Sequence, residues 1–330
     1  MKKKKLVVMG REEYEVLRAS ALAMVRSRMS FQQQRKALDN RLGRKADGTP
    51  QDEEKLPRRE IIPGIRPVLI RASDASKEWE RAFEAAIMKV VRKMPIRYWL
   101  EDVKGLGPVG MGVICGYFHI FRADAASNMT QYAGLNSDMV RGYKSRRVDG
   151  KRVWVRTEDR IRGDRCTKGY RCPYNADLRT ALMGVVADKF IWYKNRYALD
   201  FYYPRKHRMQ NSERKVWHKR STNSKWELLP WKDVSDGHRH NDAKRFMMKH
   251  FLIELYAAWR PLHGLPVRAP YAEERLSIIH NDPARRVPTL CPGTVLSEHG
   301  YALLDEQGDD LIDDQGDDQG DDNAGSLVLV

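Results

Sequence analysis

Apolar residues recur at three- and four-residue steps in two long stretches of the chain. Tyr14, Leu17, Ala21 and Met24 mark one side of residues 11–42, whose second half turns polar and basic and ends in Asn40-Arg41-Leu42. Trp79, Phe83, Ile87, Val90 and Met94 do the same between Ser76 and Met94. Such spacing lays a stripe along one face of an α-helix, and a stripe needs a partner. The two helices are expected to pair as an antiparallel hairpin or coiled coil, within one chain or between chains. Between them, Gly43 to Pro67 reads as loop, with Gly48, Pro50, Pro57, Pro63 and Gly64 set among charges.

The pattern then changes. Gly105 and Gly107 flank Leu106, Pro108 follows at a helix-start position, and a mostly apolar run continues from Val109 to Phe121. Glycines can turn a chain tightly and present consecutive amide N–H groups, and the helix behind them adds a positive dipole end, which together suit a phosphate. This is a helix-hairpin-helix pattern; the same glycines also serve as a plain turn between helices. The block Gln131-Tyr132-Ala133-Gly134-Leu135-Asn136 leads into a cluster of cations: Arg141, Lys144, Arg146, Arg147, Lys151 and Arg152. A charge run is usually a solvated face. Here two glycines and the interleaved Tyr143 and Trp154 suggest a mobile arm whose cations reach phosphates and whose rings stack. Val153-Trp154-Val155 reads as a short strand and Thr157 to Gly163 as charged loop.

Further on, Asn175 is expected to cap a helix that continues on one face through Leu178, Leu182, Val185, Val186 and Phe190. The aromatic residues between Trp192 and Tyr203 read as core, and the cations from Arg205 to Arg220 as backbone contacts. Asp233 to Asn241 reads as a polar loop. Asp242 to Arg260 reads as a helix, apolar nearly all round from Phe251 to Trp259, and so packed inside. Beyond Gly264 the chain becomes Pro-, Arg- and Glu-rich, and QGDD recurs three times between Gln307 and Asp322. Like charges with few apolar residues predict disorder.

Charge narrows the partner. The chain has 330 residues, 32% of them charged, and a formal net charge of +16. Ten acids lie between Asp305 and Asp322 and no Lys or Arg follows Tyr301, so residues 1–300 carry +26. An excess of that size predicts a polyanion bound with salt-sensitive affinity. An anionic membrane surface is the alternative, but no clean basic amphipathic helix supports it. The acidic tail then reads either as a mimic of DNA that competes for the basic face or as a solubilising segment. Lys2 to Lys5 precede only four apolar residues, too few for a signal-peptide core or a span, so a cytoplasmic protein is expected. Cys115, Cys166, Cys172 and Cys291 make no disulfide framework. The spacing of Cys166 and Cys172, with His238 and His240 downstream, is not among the common zinc arrangements. Reduced thiols, loop histidines and no metal in this chain are the expectation.

Taken together, GLGPV, Phe121, QYAGLN, GYKSRR and Asn175-Ala176-Asp177-Leu178-Arg179 resemble, in order and rough spacing, the C-terminal transposase domain of the Piv invertase and insertion-sequence transposase family. Thr167-Lys168-Gly169 resembles the start of the family's T-K-x-G-N block, although an insertion bounded by the two cysteines separates it from Asn175 and Tyr174 stands at the glycine. The resemblance spans roughly residues 100–262. It implies Gly105 and Gly107 at a phosphate turn, and Arg141, Lys144, Arg146, Arg147, Lys168 and Arg179 as nucleic-acid contacts. The family's nucleophilic serine aligns with Arg141, which cannot form a phosphoserine link; Ser137 and Ser145, four positions to either side, are the candidate replacements. Full-length members begin with a RuvC-like domain that binds divalent metal. That half is expected to be absent here, so magnesium would enter only through a separately encoded partner.

The expected protein is mainly α-helical. Residues 1–98 form a helical region and linker, 99–263 a helix-hairpin-helix-containing transposase-like domain, and 264–330 a low-complexity tail. It binds DNA in transposition or site-specific recombination, as a homo-oligomer, with a structured guide RNA as a further partner. The alternative is a helix-hairpin-helix repair enzyme, a glycosylase or nuclease. That class supplies an acid near Asp124 but leaves QYAGLN unexplained.

Overall fold

The computed structural model describes residues 9–45, 49, 63–219, 225 and 227–269, with the backbone of 295–296 and 302–303. The chain is mainly helical, as its patterning predicts. Helix α1 (Arg11–Leu42) carries Glu12 and Glu13 in its first turn, where the dipole favours them, and stops at Gly43, whose φ of 66° is left-handed. Helix α2 (Arg66–Val91) runs back along it, so the hairpin is intramolecular. It begins at Arg66 rather than Ser76 because Pro67 occupies the first turn, where a proline fits, and the apolar stripe marks only its packed part. The Gly43–Pro67 loop is shorter to match, and its residues 46–48 and 50–62 lie outside the described ones.

The seam of this hairpin changes character along its length. Val25 and Ile87 are fully buried where the hairpin meets the rest of the protein. Phe31 then stacks on Trp79 and Phe83, with ring centroids 5.8 and 5.7 Å apart. Ion pairs join in: Arg28 reaches Glu84 at 2.7 Å on the core side of that stack, and towards the far end Arg35 bridges Glu80 and Asp39, and Ser73 donates to Asp39 at 2.6 Å. Arg35 and Asp39 are buried, which the polar second half of α1 did not suggest.

Two short helices come next, α3 (Arg97–Glu101) and α4 (Pro108–Tyr117), joined by the glycine turn. Helix α4 stops at Tyr117, short of Phe121, and the chain leaves it extended at Phe118. Its glycines let it lie close against the hairpin. A Cβ on Gly112 would meet Val25 and Ile87 at 2.7 Å, and one on Gly116 would meet the Leu22 backbone nitrogen at 2.7 Å. Tyr14 completes the joint: its hydroxyl donates to the Phe118 carbonyl at 3.0 Å and accepts from the Ile120 amide at 3.1 Å.

After α5 (Ala126–Tyr132), β1 (Met139–Val148) and β2 (Lys151–Arg162) pair antiparallel. The expected short strand Val153–Val155 lies within β2, while the expected arm and charged loop are strand as well, parts of the same ribbon. Asn175 caps α6 (Ala176–Ala181) by accepting from the Leu178 amide at 2.9 Å, as expected. The helix expected from there to Phe190 is interrupted by a π-helical turn, Leu182–Val186, before α7 (Ala187–Trp192). A second π turn, Ala198–Tyr202, leads into α8 (Tyr203–Gln210). Of the rings expected in the core here, Tyr197 and Tyr202 are buried, but Trp192 is 79% exposed and Tyr193 and Tyr203 are also exposed. The cationic run beyond α8 holds a second small sheet, β3 (Lys215–His218) with β4 (Glu227–Pro230).

Helix α9 (Asp236–Trp259) begins inside the expected polar loop and ends in the core, where Phe251, Leu252, Leu255 and Trp259 are fully buried. Its one charge there, Glu254, accepts from the Tyr197 hydroxyl at 2.6 Å and pairs with Arg196. Arg260 is buried and donates to the Ala123 carbonyl at 2.8 Å and the Pro266 carbonyl at 2.8 Å, stapling the segment after α4 to the end of α9. The buried cluster runs without a break from Tyr14 and Ile87 to Trp259, so the N-terminal hairpin shares its core with the helices from α4 to α9. Of the 264–330 tail expected to be disordered, residues 264–269 and the pair β5 (Val295–Leu296) and β6 (Ala302–Leu303), which is antiparallel, are described, and the rest lies outside the described residues. Among the described residues no helix is long and apolar enough to cross a membrane.

Candidate nucleic-acid interface

The ribbon turns at Asp149 and Gly150, with φ of 50° and 75°, the paired left-handed residues of a type I′ turn. Every residue from Arg146 to Arg156 is exposed. The register sets which side chains share a face: Tyr143 opposes Arg156, Ser145 opposes Trp154 and Arg147 opposes Arg152 on one, while Lys144 opposes Val155 and Arg146 opposes Val153 on the other. On the first face the Arg152 guanidinium lies 5.3 Å from the centre of the Trp154 ring and donates to the Ser145 hydroxyl at 2.7 Å. Arg146, Arg147, Arg156 and Arg160 have no acidic partner among the described residues.

The foot of the ribbon is clamped. Gly142 is buried, and a Cβ there would meet the Tyr170 ring at 2.5 Å, so only glycine lets that ring come so close to the strand. Tyr170 and Lys144 both donate to Asp159, each at 2.8 Å, and the Arg171 amide donates to the Tyr143 carbonyl at 2.8 Å. Hydrogen bonds from Lys144 and Tyr170 hold the Asp159 carboxyl below its ordinary range, and the same contacts push the Lys144 ammonium up. Lys144, expected to face a phosphate, is thus already neutralised within the chain. The loop that carries Tyr170 is closed by a Cys166–Cys172 disulfide, which corrects the expectation of reduced thiols and removes both sulfurs from any zinc site. Lys168 is exposed on that loop. Of the two expected loop histidines, both lie on α9: His238 packs against His218, and His240 shares a hydrogen bond with Tyr202 at 2.6 Å. Among the described residues no group of three or more His, Cys, Asp or Glu side chains is placed to hold a metal ion.

Where β2 ends, the chain opens a cleft of about 820 Å³ between the ribbon foot, α6, α9 and the β3–β4 sheet. Its walls carry Arg162, Arg165, Arg179, Arg205, Arg245 and Lys249 against two carboxylates, Asp164 and Asp242. Asp164 is the organiser. Its side chain is 3% exposed and is bound by Arg162 at 2.9 Å and Arg245 at 3.1 Å, while its carbonyl accepts from Arg179 at 2.6 Å. Burial alone would raise its pKa, but Arg162, Arg245 and Arg165 outweigh it and hold the carboxyl below the ordinary value. Arg205, expected to contact nucleic acid, is paired to Asp242 at 2.9 Å on the same wall. Arg179 is also fixed over the Tyr174 ring, 4.9 Å from its centre. Burial pushes the Lys249 ammonium and the His238 imidazolium down, the latter with help from His218 and Arg245. A phosphate in this cleft would meet preset guanidinium groups with most of their ordering already done.

The glycine turn stands on other supports. Gly105 takes φ +87°, and a Cβ there would press on the Tyr193 ring at 3.1 Å and the Lys189 carbonyl at 3.2 Å. Asn195, 2% exposed, donates to the Lys104 carbonyl and accepts from the Tyr197 amide at 2.9 Å, fixing the turn to the end of α7. Gly107 is exposed and caps α4 in an extended conformation.

The expected site residues therefore separate. Arg179 and Ser137 line the cleft; Arg141, 3.8 Å from Glu158, lies near the ribbon foot; Ser145, Arg146 and Arg147 stand out along the ribbon; Gly105 and Gly107 form their own turn. Sequence reasoning missed Asp164, Arg162, Arg245 and Tyr170, which build the cleft and the clamp. Comparison of the chain with protein-family models, with curated proteins and with solved structures finds no match.

Proposed function

We propose that this protein binds DNA in transposition or site-specific recombination, with the cleft at the ribbon foot holding the sugar–phosphate backbone. The observation that carries the reading is the imbalance of that cleft, whose lining holds six cations against two carboxylates. The motif order from Gly105 to Arg179 supports the recombination setting. Binding of a duplex by the purified full chain, measured against salt, tests it. Replacing Arg179 and Arg205 by Gln lowers the slope of log affinity against log salt by about 0.9 per lost phosphate contact. A slope unchanged by both substitutions rejects the cleft. The same titration with a structured RNA tests the guide-RNA partner, which is bound more tightly than the duplex if RNA is the resident ligand.

If the chain also breaks DNA, Ser137 is the serine in place, because it shares the cleft with the cations while Ser145 is bonded to Arg152 on the ribbon. Its oxygen would attack a backbone phosphorus, the leaving sugar oxygen would depart, and the serine proton would pass to a neighbouring base. Supercoiled plasmid incubated with the protein and magnesium, and resolved on a denaturing gel with and without protease, shows this as a covalent adduct lost in Ser137→Ala. Binding without adduct or nick would make this chain a DNA-holding module whose chemistry, if any, belongs to a partner. The glycine turn equally suits a helix-hairpin-helix repair enzyme, and release of a damaged base from a duplex, absent in the recombination reading, separates the two.

A further inference from the structure

We infer that the β1–β2 ribbon enters the major groove of B-form DNA and reads base edges there. This rests on the DNA-binding reading above and adds to it the surface that touches the bases. An isolated two-stranded ribbon is marginally stable in water, yet this one exposes Val148, Val153, Trp154 and Val155 along a stretch where every residue from Arg146 to Arg156 is solvent-accessible. Exposed apolar groups on both faces of a ribbon call for a partner that wraps it, and the charge says of what kind. Between Arg146 and Arg156 there are four Arg and one Lys, and a single acid, Asp149 in the turn. The partner is a polyanion with apolar surface inside it, which describes a nucleic-acid groove.

The geometry selects among grooves. The major groove of B-DNA is about 12 Å wide and admits a two-stranded ribbon, whereas the minor groove at about 6 Å is too narrow for a face that bears both Tyr143 and Trp154. In A-form RNA the major groove is too narrow for side chains to read, so the ribbon fits DNA. Its first face carries what base edges need: Arg147, Arg152 and Arg156, fork-shaped donors for the O6 and N7 acceptors of guanine. The second face offers Val148, Val153 and Val155, suited to the thymine methyl. The clamp at Gly142, Tyr170 and Asp159 fixes the foot, and the cleft beside it holds the adjoining backbone and sets how the ribbon enters.

Dimethyl sulfate footprinting of the full chain on a mixed-sequence duplex tests this in one reaction, since the reagent methylates guanine N7 in the major groove and adenine N3 in the minor. Saturating protein is expected to protect guanine N7 and leave adenine N3 reactive. Replacing Arg147, Arg152 and Arg156 by Ala is expected to abolish that protection and weaken duplex binding by about tenfold or more, while salt-sensitive binding through the cleft persists. Because Arg152 also bonds Ser145, the pair Arg147→Ala and Arg156→Ala alone, at exposed positions with no such contact, is expected to lose most of the protection with an unchanged melting temperature. Duplex bound with N7 unprotected, protection of adenine N3 instead, or tighter binding of single strands by stacking on Trp154 overturns the groove assignment and leaves the DNA-binding reading standing. No binding of any nucleic acid overturns both.

Discussion

At Gly116 the Leu22 backbone would lie 2.7 Å from any added Cβ, and backbone cannot move aside as a side-chain tip can. Gly116→Ala is therefore expected to force α4 off the hairpin and cost about 1–3 kcal/mol or more, read as a melting temperature lower by several degrees. His263 makes a second residue-scale prediction. It is buried, accepts from the Trp259 indole N–H at 3.2 Å, and burial holds its pKa at about 4, against an ordinary 6.5. Above pH 6.5 both folded and unfolded chains carry it neutral and its contribution is complete. As pH falls from 6.5 towards 4 the unfolded chain gains a proton that the folded chain refuses, so stability declines by roughly 3 kcal/mol over that window. Burial also lowers His119, His238 and His240, which adds to the slope in the same direction. Denaturant unfolding at pH 7 and pH 5 measures the loss, and His263→Gln is expected to flatten part of it.

Among the elements, the long helices were legible, while of the ribbon only the Val153–Val155 stretch was. Tyr14, Ala21, Ile87 and Val91 repeat at helical steps because each helix buries one face, and burial writes a period into the sequence. The ribbon buries neither face beyond its foot, so no alternation of apolar and polar residues marks its strands. The signal that remained was Asp149-Gly150, a two-residue turn dipeptide between runs of similar length, and the density of charge around it invited a loop reading instead. The clamp was hidden for a different reason. Tyr170 is an ordinary tyrosine until the fold lays it on Gly142, nearly thirty positions away. Tyr170→Ala is expected to remove one of the two bonds that hold Asp159, leaving its pair with Lys144, and to speed amide hydrogen exchange at Tyr143, Lys144 and Arg171, with α9 protection unchanged. Equal exchange in the variant would show that the disulfide loop alone holds the foot.

Across the whole molecule, the candidate cleft gathers residues from Leu135 to Lys249, which no local window shows. Its cations could be counted beforehand, but not which of them Asp164 would collect. The excess of charge was readable because it is a sum and needs no geometry. It supports one prediction that the sequence alone makes: removing residues 301–330 strips ten acids and is expected to tighten DNA binding at low salt, with the difference fading as salt screens it. Equal affinity at low salt would leave the tail a solubilising role.

The joint of Gly112, Gly116 and Tyr14 has a mechanical side. Helix α1 spans 32 residues, about 48 Å of rise, and its Leu22–Val25 stretch is pressed onto the helix that Gly107 begins. Beyond that contact α1 continues to Leu42 with α2 riveted to it by Arg28, Arg35 and Glu80, so the pair resists bending. The hairpin is then a lever with its fulcrum at the two glycines. A load on its far end, near Leu42 and Arg66, would be delivered to α4 at Gly112 and Gly116.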